Sequence, residues 1–186
     1  VNMPVVEGDT VRTGRASRVE LQLNYSNLVR LSESAEVHLS NMGERQFRIQ
    51  VERGVVNYSE LRGGEADIDI ETPLVVVRLE KNGRYRIDVL DQDQVSITVR
   101  KGSAEVASAD GVEKLKKGMR MIVRRDENGR VRYRVMSAPD KDAWDEWNQR
   151  RDKVLNNSDS YRRLSRRITG GEDLDDYGRW QNVTGY

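Results

Sequence analysis

The feature that most constrains this chain is a two-residue alternation of apolar and polar side chains, repeated in short runs from residue 17 to residue 136. Val19, Leu21 and Leu23 alternate with Arg18, Glu20 and Gln22. Phe47, Ile49 and Val51 alternate with Arg48, Gln50 and Glu52. Ile68 and Ile70, then Tyr85, Ile87 and Val89, then Val95, Ile97 and Val99 follow the same rule. Successive side chains of a strand point to opposite sides, so this period predicts strands with one buried and one wet face. The continuous apolar run from Leu74 to Val77 predicts a strand buried on both faces.

The breaks are as regular as the runs. Asn82-Gly83, Asp110-Gly111 and Asn128-Gly129 each separate two runs and tolerate positive φ, which suits tight hairpins. Gly14, Gly43, Gly54, Gly63-Gly64, Gly102 and Gly118 mark other breaks. Such spacing predicts an all-β fold of about eleven strands, either an antiparallel sandwich or a β-solenoid-like stack. The pattern changes at Ser137-Ala138-Pro139-Asp140, where Pro139 and the acids beside it suit the first turn of a helix. Trp144, Trp147, Arg151 and Leu155 are spaced by three and four, which puts both indoles on one helical face. The expected organisation is a β domain over 1–136, an amphipathic helix within 137–155 that begins near 140, and an extended aromatic tail over 156–186. The tail has no core of its own and needs a surface to lie on.

Composition removes several chemistries. A chain of 186 residues can bury a core without disulfides or a structural metal. Cysteine is absent, which removes thiolate nucleophiles and most zinc sites. Bases number 32 and acids 31, so a net charge of +1 offers no general field to steer nucleic acid or an anionic membrane. No apolar run reaches the length of about 18 residues that a membrane helix needs. The chain begins at Val1 with neither an initiator Met nor an apolar signal segment, the expected start of a processed or trimmed chain.

The candidate sites all have plain structural readings. His38 is the lone histidine; it lies opposite Val37 and Leu39 and is expected in solvent, and no G-x-S-x-G accompanies it. Asp67, Asp69 and Glu71 share a strand face, where carboxylate pairs could hydrolyse sugars. Their alternation with Ile68 and Ile70 instead suits a wet face paired with arginines such as Arg84 and Arg86. Asp91 and Asp93 suit a turn better than a calcium loop. Glu172, Asp173, Asp175 and Asp176 are expected to pair with the arginines before them. Arg120, Arg124, Arg125, Arg130, Arg132 and Arg134 cluster on one hairpin with Tyr133, and Arg162, Arg163, Arg166 and Arg167 form a second cluster. With the overall charge balanced, acidic protein surfaces, or this chain's own acidic tail, suit them better than phosphate. No phosphate loop and no dinucleotide motif is present. Four glycosylation sequons, at Asn24, Asn57, Asn156 and Asn182, matter only in a secreted eukaryotic protein. The residues thus predict no catalysis, no cofactor and no metal.

Gly8-Asp9-Thr10-Val11-Arg12-Thr13-Gly14, Ser17-Arg18-Val19-Glu20-Leu21, Val29-Arg30-Leu31, Arg53-Gly54-Val55, Glu71-Thr72-Pro73 and the stretch from Val99 to Val106 follow in an order that resembles a FecR domain over residues 1–124. The resemblance implies an all-β, extracytoplasmic, protein-binding module of the bacterial envelope. The best-known FecR proteins are anti-sigma regulators with a cytoplasmic segment, a membrane helix and a periplasmic domain. This chain is similar only to the periplasmic part. The stretches from Asp142 to Asn148, Ser160-Tyr161 and Glu172 to Trp180 resemble a module that follows FecR domains in some Gram-negative envelope proteins. That resemblance implies a chain continuing past Tyr186.

The expectation is a non-enzymatic periplasmic or extracellular module for protein binding or assembly, with Trp144, Trp147, Tyr177, Trp180 and Tyr186 as partner-binding residues. Its partner would be a second copy reached through the tail, or another envelope protein. The alternatives are the periplasmic sensing domain of an anti-sigma regulator, and a carbohydrate or cell-wall binder that stacks sugars on these aromatics. Packing on the β domain is the plain reading of the same rings.

Overall fold

The computed structural model describes residues 3–61, 65–109, 111–164, 168 and 170–183. Among them the chain forms thirteen strands and three helices. Strands β1 (Thr10–Arg12), β2 (Val19–Gln22), β3 (Asn27–Leu31) and β4 (Glu36–Met42) lead into the longest, β5 (Gln46–Glu60). Then come β6 (Asp67–Glu71), β7 (Val76–Leu79), β8 (Arg84–Asp91) and β9 (Gln94–Lys101). Strands β10 (Ser103–Ser108), β11 (Gly111–Lys116), β12 (Met119–Arg125) and β13 (Val131–Ser137) complete the sheet. Helix α1 spans Ala143–Asn157, and α2 (Ser160–Arg163) and α3 (Asp173–Tyr177) are single turns. None of the described helices is long and apolar enough to cross a membrane.

Strand β5 divides the sheet into two halves. Its first part pairs with β4 and β6, in a half ordered β11-β10-β7-β6-β5-β4-β1 (half A). Its second part pairs with β3 and β8, in a half ordered β13-β12-β9-β8-β5-β3-β2 (half B). The inward side chains of both halves meet in one hydrophobic cluster that includes Val37, Ile49, Ile70, Val77, Ile87, Ile97 and Val123. Alternation along each strand is what permits this, since every second residue can be apolar without leaving an apolar outer surface. All pairings are antiparallel except β5 with β6, which is parallel.

Three strand expectations change. Gly54 is not a break but the bend in β5, at φ +87, where a Cβ would lie 2.5 Å from Ala35 Cα. Asn82-Gly83 does not close a hairpin, because β7 and β8 lie in different halves. It carries the chain from half A to half B, and Gly83 makes room for the Tyr85 ring that would otherwise lie 2.1 Å from its Cβ. Asn128-Gly129 does join adjacent strands, β12 to β13, and Gly111 opens β11 beside β10, while Asp110 lies outside the described residues. The Leu74–Val77 run is not one doubly buried strand. Thr72 closes a turn around Pro73, with Val75 N–H donating to Thr72 Oγ1 at 3.1 Å, so the strand starts at Val76, which is exposed.

The C-terminal part also departs from expectation. Helix α1 starts two residues after Lys141 rather than near 140, because the Asp142 carboxylate, and not Pro139, caps it by accepting the Asp145 N–H at 2.9 Å. The tail is not uniformly extended but contains α2 and α3. Its contacts to the β region run to its own β2: Gln22 donates to the Tyr161 hydroxyl at 3.3 Å and accepts the Gly170 N–H at 3.1 Å.

Candidate functional site

Residues that alternate outward on half B line up across strands. The register puts Glu20, Arg30, Asn57, Arg86, Thr98, Arg120 and Met136 in one cross-strand row. Neighbouring rows hold Leu28, Ser59 and Arg84 on one side, and Asp88, Ser96, Ile122 and Arg134 on the other. This outer face is therefore an array of arginines around a polar centre. Helix α1 lies on it.

The buried residues of α1 are Asp145, Asn148, Asp152 and Leu155. The expected buried stripe of Trp144, Trp147, Arg151 and Leu155 is displaced, because the surface beneath is cationic and draws the acids inward. Arg30, with its side chain 1% exposed, donates through Nε to Glu20 Oε2 and through Nη1 to Asp152 Oδ1, both at 2.6 Å. Arg86 donates to Asp88 at 2.9 Å and to Asp142 at 2.6 Å. Arg100 holds Asp145 at 2.6 Å and the Pro139 carbonyl at 2.6 Å. Arg151 returns from the helix to Glu20 at 2.8 Å. Apolar contact is confined to a small cluster of Leu155 with Leu28 and Leu61.

Charge balance explains the titration of these groups. Burial works against the Glu20 carboxylate, but the hydrogen bond from Arg151 and the charge of Arg30 outweigh it and hold its pKa below the ordinary glutamate value. Asp142 is lowered in the same way: burial opposes its charge and the Arg86 hydrogen bond prevails. Asp88 and Glu60 go up, in both cases chiefly through burial. A carboxylate with a lowered folded pKa contributes stability that is complete above its unfolded pKa, about 4, and fades as pH falls through the folded value. A raised carboxylate contributes in the opposite sense. Acidification below about pH 4 is therefore expected to loosen α1 before the β core yields. Tryptophan fluorescence should shift at higher pH than the far-ultraviolet β signal; coincident transitions would show that α1 and the sheet melt together.

The candidate aromatics are placed as follows. Trp144 and Trp147 are half-buried and stacked, with centroids 5.0 Å apart. The Arg18 guanidinium lies 4.9 Å from the Trp147 ring, and Trp144 Nε1 donates to Asn57 Oδ1 at 2.6 Å. One indole face is thus given to the other ring, which leaves poor ground for a sugar. Trp180 is 39% exposed, donates to Ser160 Oγ at 2.9 Å and lies under Arg163. Tyr177 is 89% exposed. Tyr186 lies outside the described residues, as do Arg166 and Arg167. Trp144→Phe is expected to cost about 1–2 kcal/mol in urea unfolding, because buried Asn57 loses its donor. A loss below about 0.5 kcal/mol would show that water replaces the indole.

The remaining candidates also find partners. His38 is half-buried, with Nδ1 3.2 Å from the Thr10 hydroxyl. Its cleft also holds Glu36, whose pKa is lowered by the hydrogen bond from Arg12. Asp69 and Glu71 pair not with Arg84 and Arg86 but with Arg78 and Arg48, because β6 lies between β5 and β7. Asp91 does form the turn, accepting the Asp93 N–H at 2.8 Å. Glu172 accepts from the Tyr161 hydroxyl and Asp175 from the Ser158 and Ser160 hydroxyls, and the charges of Glu172 and Asp176 act on Arg151. Among the described residues no three His, Asp or Glu side chains group as metal ligands. Sequence reasoning missed Arg30, Asn57, Arg100, Asp145, Asn148 and Asp152. The available signal was the i, i+3, i+10 spacing of Asp142, Asp145 and Asp152.

Two crystal structures share this fold, each provisionally described as an anti-sigma factor from Parabacteroides distasonis ATCC 8503. Their TM-scores are 0.58 and 0.57, at 15% and 16% identity over 70% of this chain. The chain spans 61% of their length. No curated protein matches it. The FecR protein family matches residues 9–105, from the residue before β1 to the middle of β10. That match covers more than half of the sequence, and the chain belongs to the FecR family.

Proposed function

We propose that this chain is a non-enzymatic, protein-binding module of the bacterial envelope, the extracytoplasmic sensing part of a FecR-type signal-transduction regulator. The observation that carries this reading is the family match over residues 9–105, which falls on the β region that builds the arginine face. A regulator of this kind transmits by contact, and a rigid sheet with fixed charges suits contact better than chemistry. The chain's one histidine meets the Thr10 hydroxyl and its neighbour Glu36 is engaged by Arg12, so these two residues do not pair as acid and base. The test is to delete the coding segment for this module in its own host and profile transcripts. A discrete set of promoters should change. An unaltered profile, with an altered envelope, would overturn the signalling role in favour of a structural one.

Assembly through the C-terminal segment is a second reading, favoured by the exposure of Leu174, Tyr177 and Val183. In that case concentrated protein scatters light with a mass above one chain, and Leu174→Ser with Tyr177→Ser returns it to one chain. A single-chain mass at every concentration ends this reading.

A further inference from the structure

Helix α1 covers the outer face of half B over β2, β3, β5, β8 and the end of β9, but not over β12 and β13. There the register places Arg120 beside Met136, Ile122 beside Arg134 and Arg124 beside Arg132. Arg124, Arg132 and Arg134 are exposed, and Arg120, Ile122 and Met136 half-buried. Among the described residues Arg124 and Arg134 have no acidic partner, and Arg132 approaches Asp126 only to 3.9 Å. The uncovered part of the face thus also presents arginines, here around Ile122 and Met136, and among the described residues Arg124 and Arg134 lack the carboxylates that Arg30, Arg86 and Arg100 hold beneath α1.

We propose that the β12–β13 face docks an acidic amphipathic helix of a second protein, held as α1 is held by Arg30, Arg86 and Arg100. The proposal rests on the protein-binding reading and gives it a surface and a partner chemistry. Charge complementarity selects an acidic ligand. The precedent within the molecule selects a helix: α1 meets the same sheet face with acids at helical spacing and a leucine on Leu28 and Leu61. Ile122 and Met136 offer the corresponding apolar contact. A second copy of this chain is a poor occupant, because the acids at helical spacing on its one long helix and its cap, Asp142, Asp145 and Asp152, are already engaged by arginines. Nucleic acid is a poor occupant too. Tyr133, the aromatic a nucleic-acid site would stack on, pairs with Val123 and lines the crevice on the opposite side of β13.

The test is fluorescence anisotropy of the whole chain with a labelled peptide in which Glu and Leu alternate at helical spacing. Three controls accompany it: the same residues scrambled, a single-stranded oligonucleotide, and phosphatidylglycerol vesicles. The helical peptide should bind, weaken with salt, and lose about tenfold or more in affinity with Arg124→Glu, Arg132→Glu and Arg134→Glu combined. These side chains are exposed, so the fold should persist, and Arg45→Glu on half A should change nothing. Unchanged peptide binding in the triple variant would overturn the proposal. So would equal binding of the scrambled peptide, the oligonucleotide or the vesicles. Either result leaves the transcript test of the signalling role standing, so the two readings fail separately.

Discussion

Arg30→Ala is expected to cost about 3–5 kcal/mol in urea unfolding and to release α1 from the sheet. The side chain has almost no contact with solvent, and its guanidinium joins Glu20 on β2 to Asp152 on α1. Removing it leaves buried Asp152 with only Arg84, at 3.9 Å. Glu20 keeps Arg151, which places the loss toward the lower end of that range. A buried ion pair adds little net stability over an apolar pair of the same volume, but half of one is costly. Arg30→Met combined with Asp152→Leu should therefore recover most of the loss. Tryptophan fluorescence should report the release, since Trp144 and Trp147 lie on the same helix. A cost below about 1 kcal/mol for Arg30→Ala would show that the charged interface contributes nothing to holding α1.

Gly54→Ala is the second large effect, expected at about 2–5 kcal/mol. Two penalties add. The residue sits at φ +87, where an L side chain costs about 1–2 kcal/mol. Its Cβ would also lie 2.5 Å from Ala35 Cα and 2.6 Å from Ala35 Cβ, and overpacking of that kind costs about 1–3 kcal/mol. Gly118→Ala separates the two, because Gly118 has φ +81 and nothing within 4 Å of its Cβ. Thermal unfolding of both variants should show Gly54→Ala as clearly the worse. Equal losses would mean that β5 shifts freely where it passes from one half of the sheet to the other.

The strands were legible because alternation is local. A strand with one face in the core must repeat every two residues, and Tyr85-Ile87-Val89 or Val95-Ile97-Val99 can satisfy no other element. The Asn128-Gly129 turn was legible for the same reason: the demand for positive φ lies in the turn itself, and Gly129 sits at φ 76. Asn82-Gly83 carries the same local signal and yet joins strands in different halves, since a turn records where the chain bends and not which strand it will meet.

Tyr177 and Trp180 were singled out because aromatics among acids and glycines need a surface, but where they lie follows from contacts 15 or more residues away, such as Ser160 Oγ donating to Asp175 and Trp180 Nε1 donating to Ser160 Oγ. The buried face of α1 shows the division most plainly. Its own residues determined that a helix would form, that Asp142 could cap it, and that two indoles would sit three residues apart. Which stripe turned inward was decided by Arg30, Arg86 and Arg100, brought to one surface by β3 and by the β8–β9 pair, which is far from β3 in the sequence. A helix buries the side that matches its neighbour, and here the neighbour is charged, so aspartates went in and the tryptophans stayed at the margin. Spacing within the helix offers both an indole stripe and an aspartate stripe; only the cross-strand register of the folded sheet decides between them.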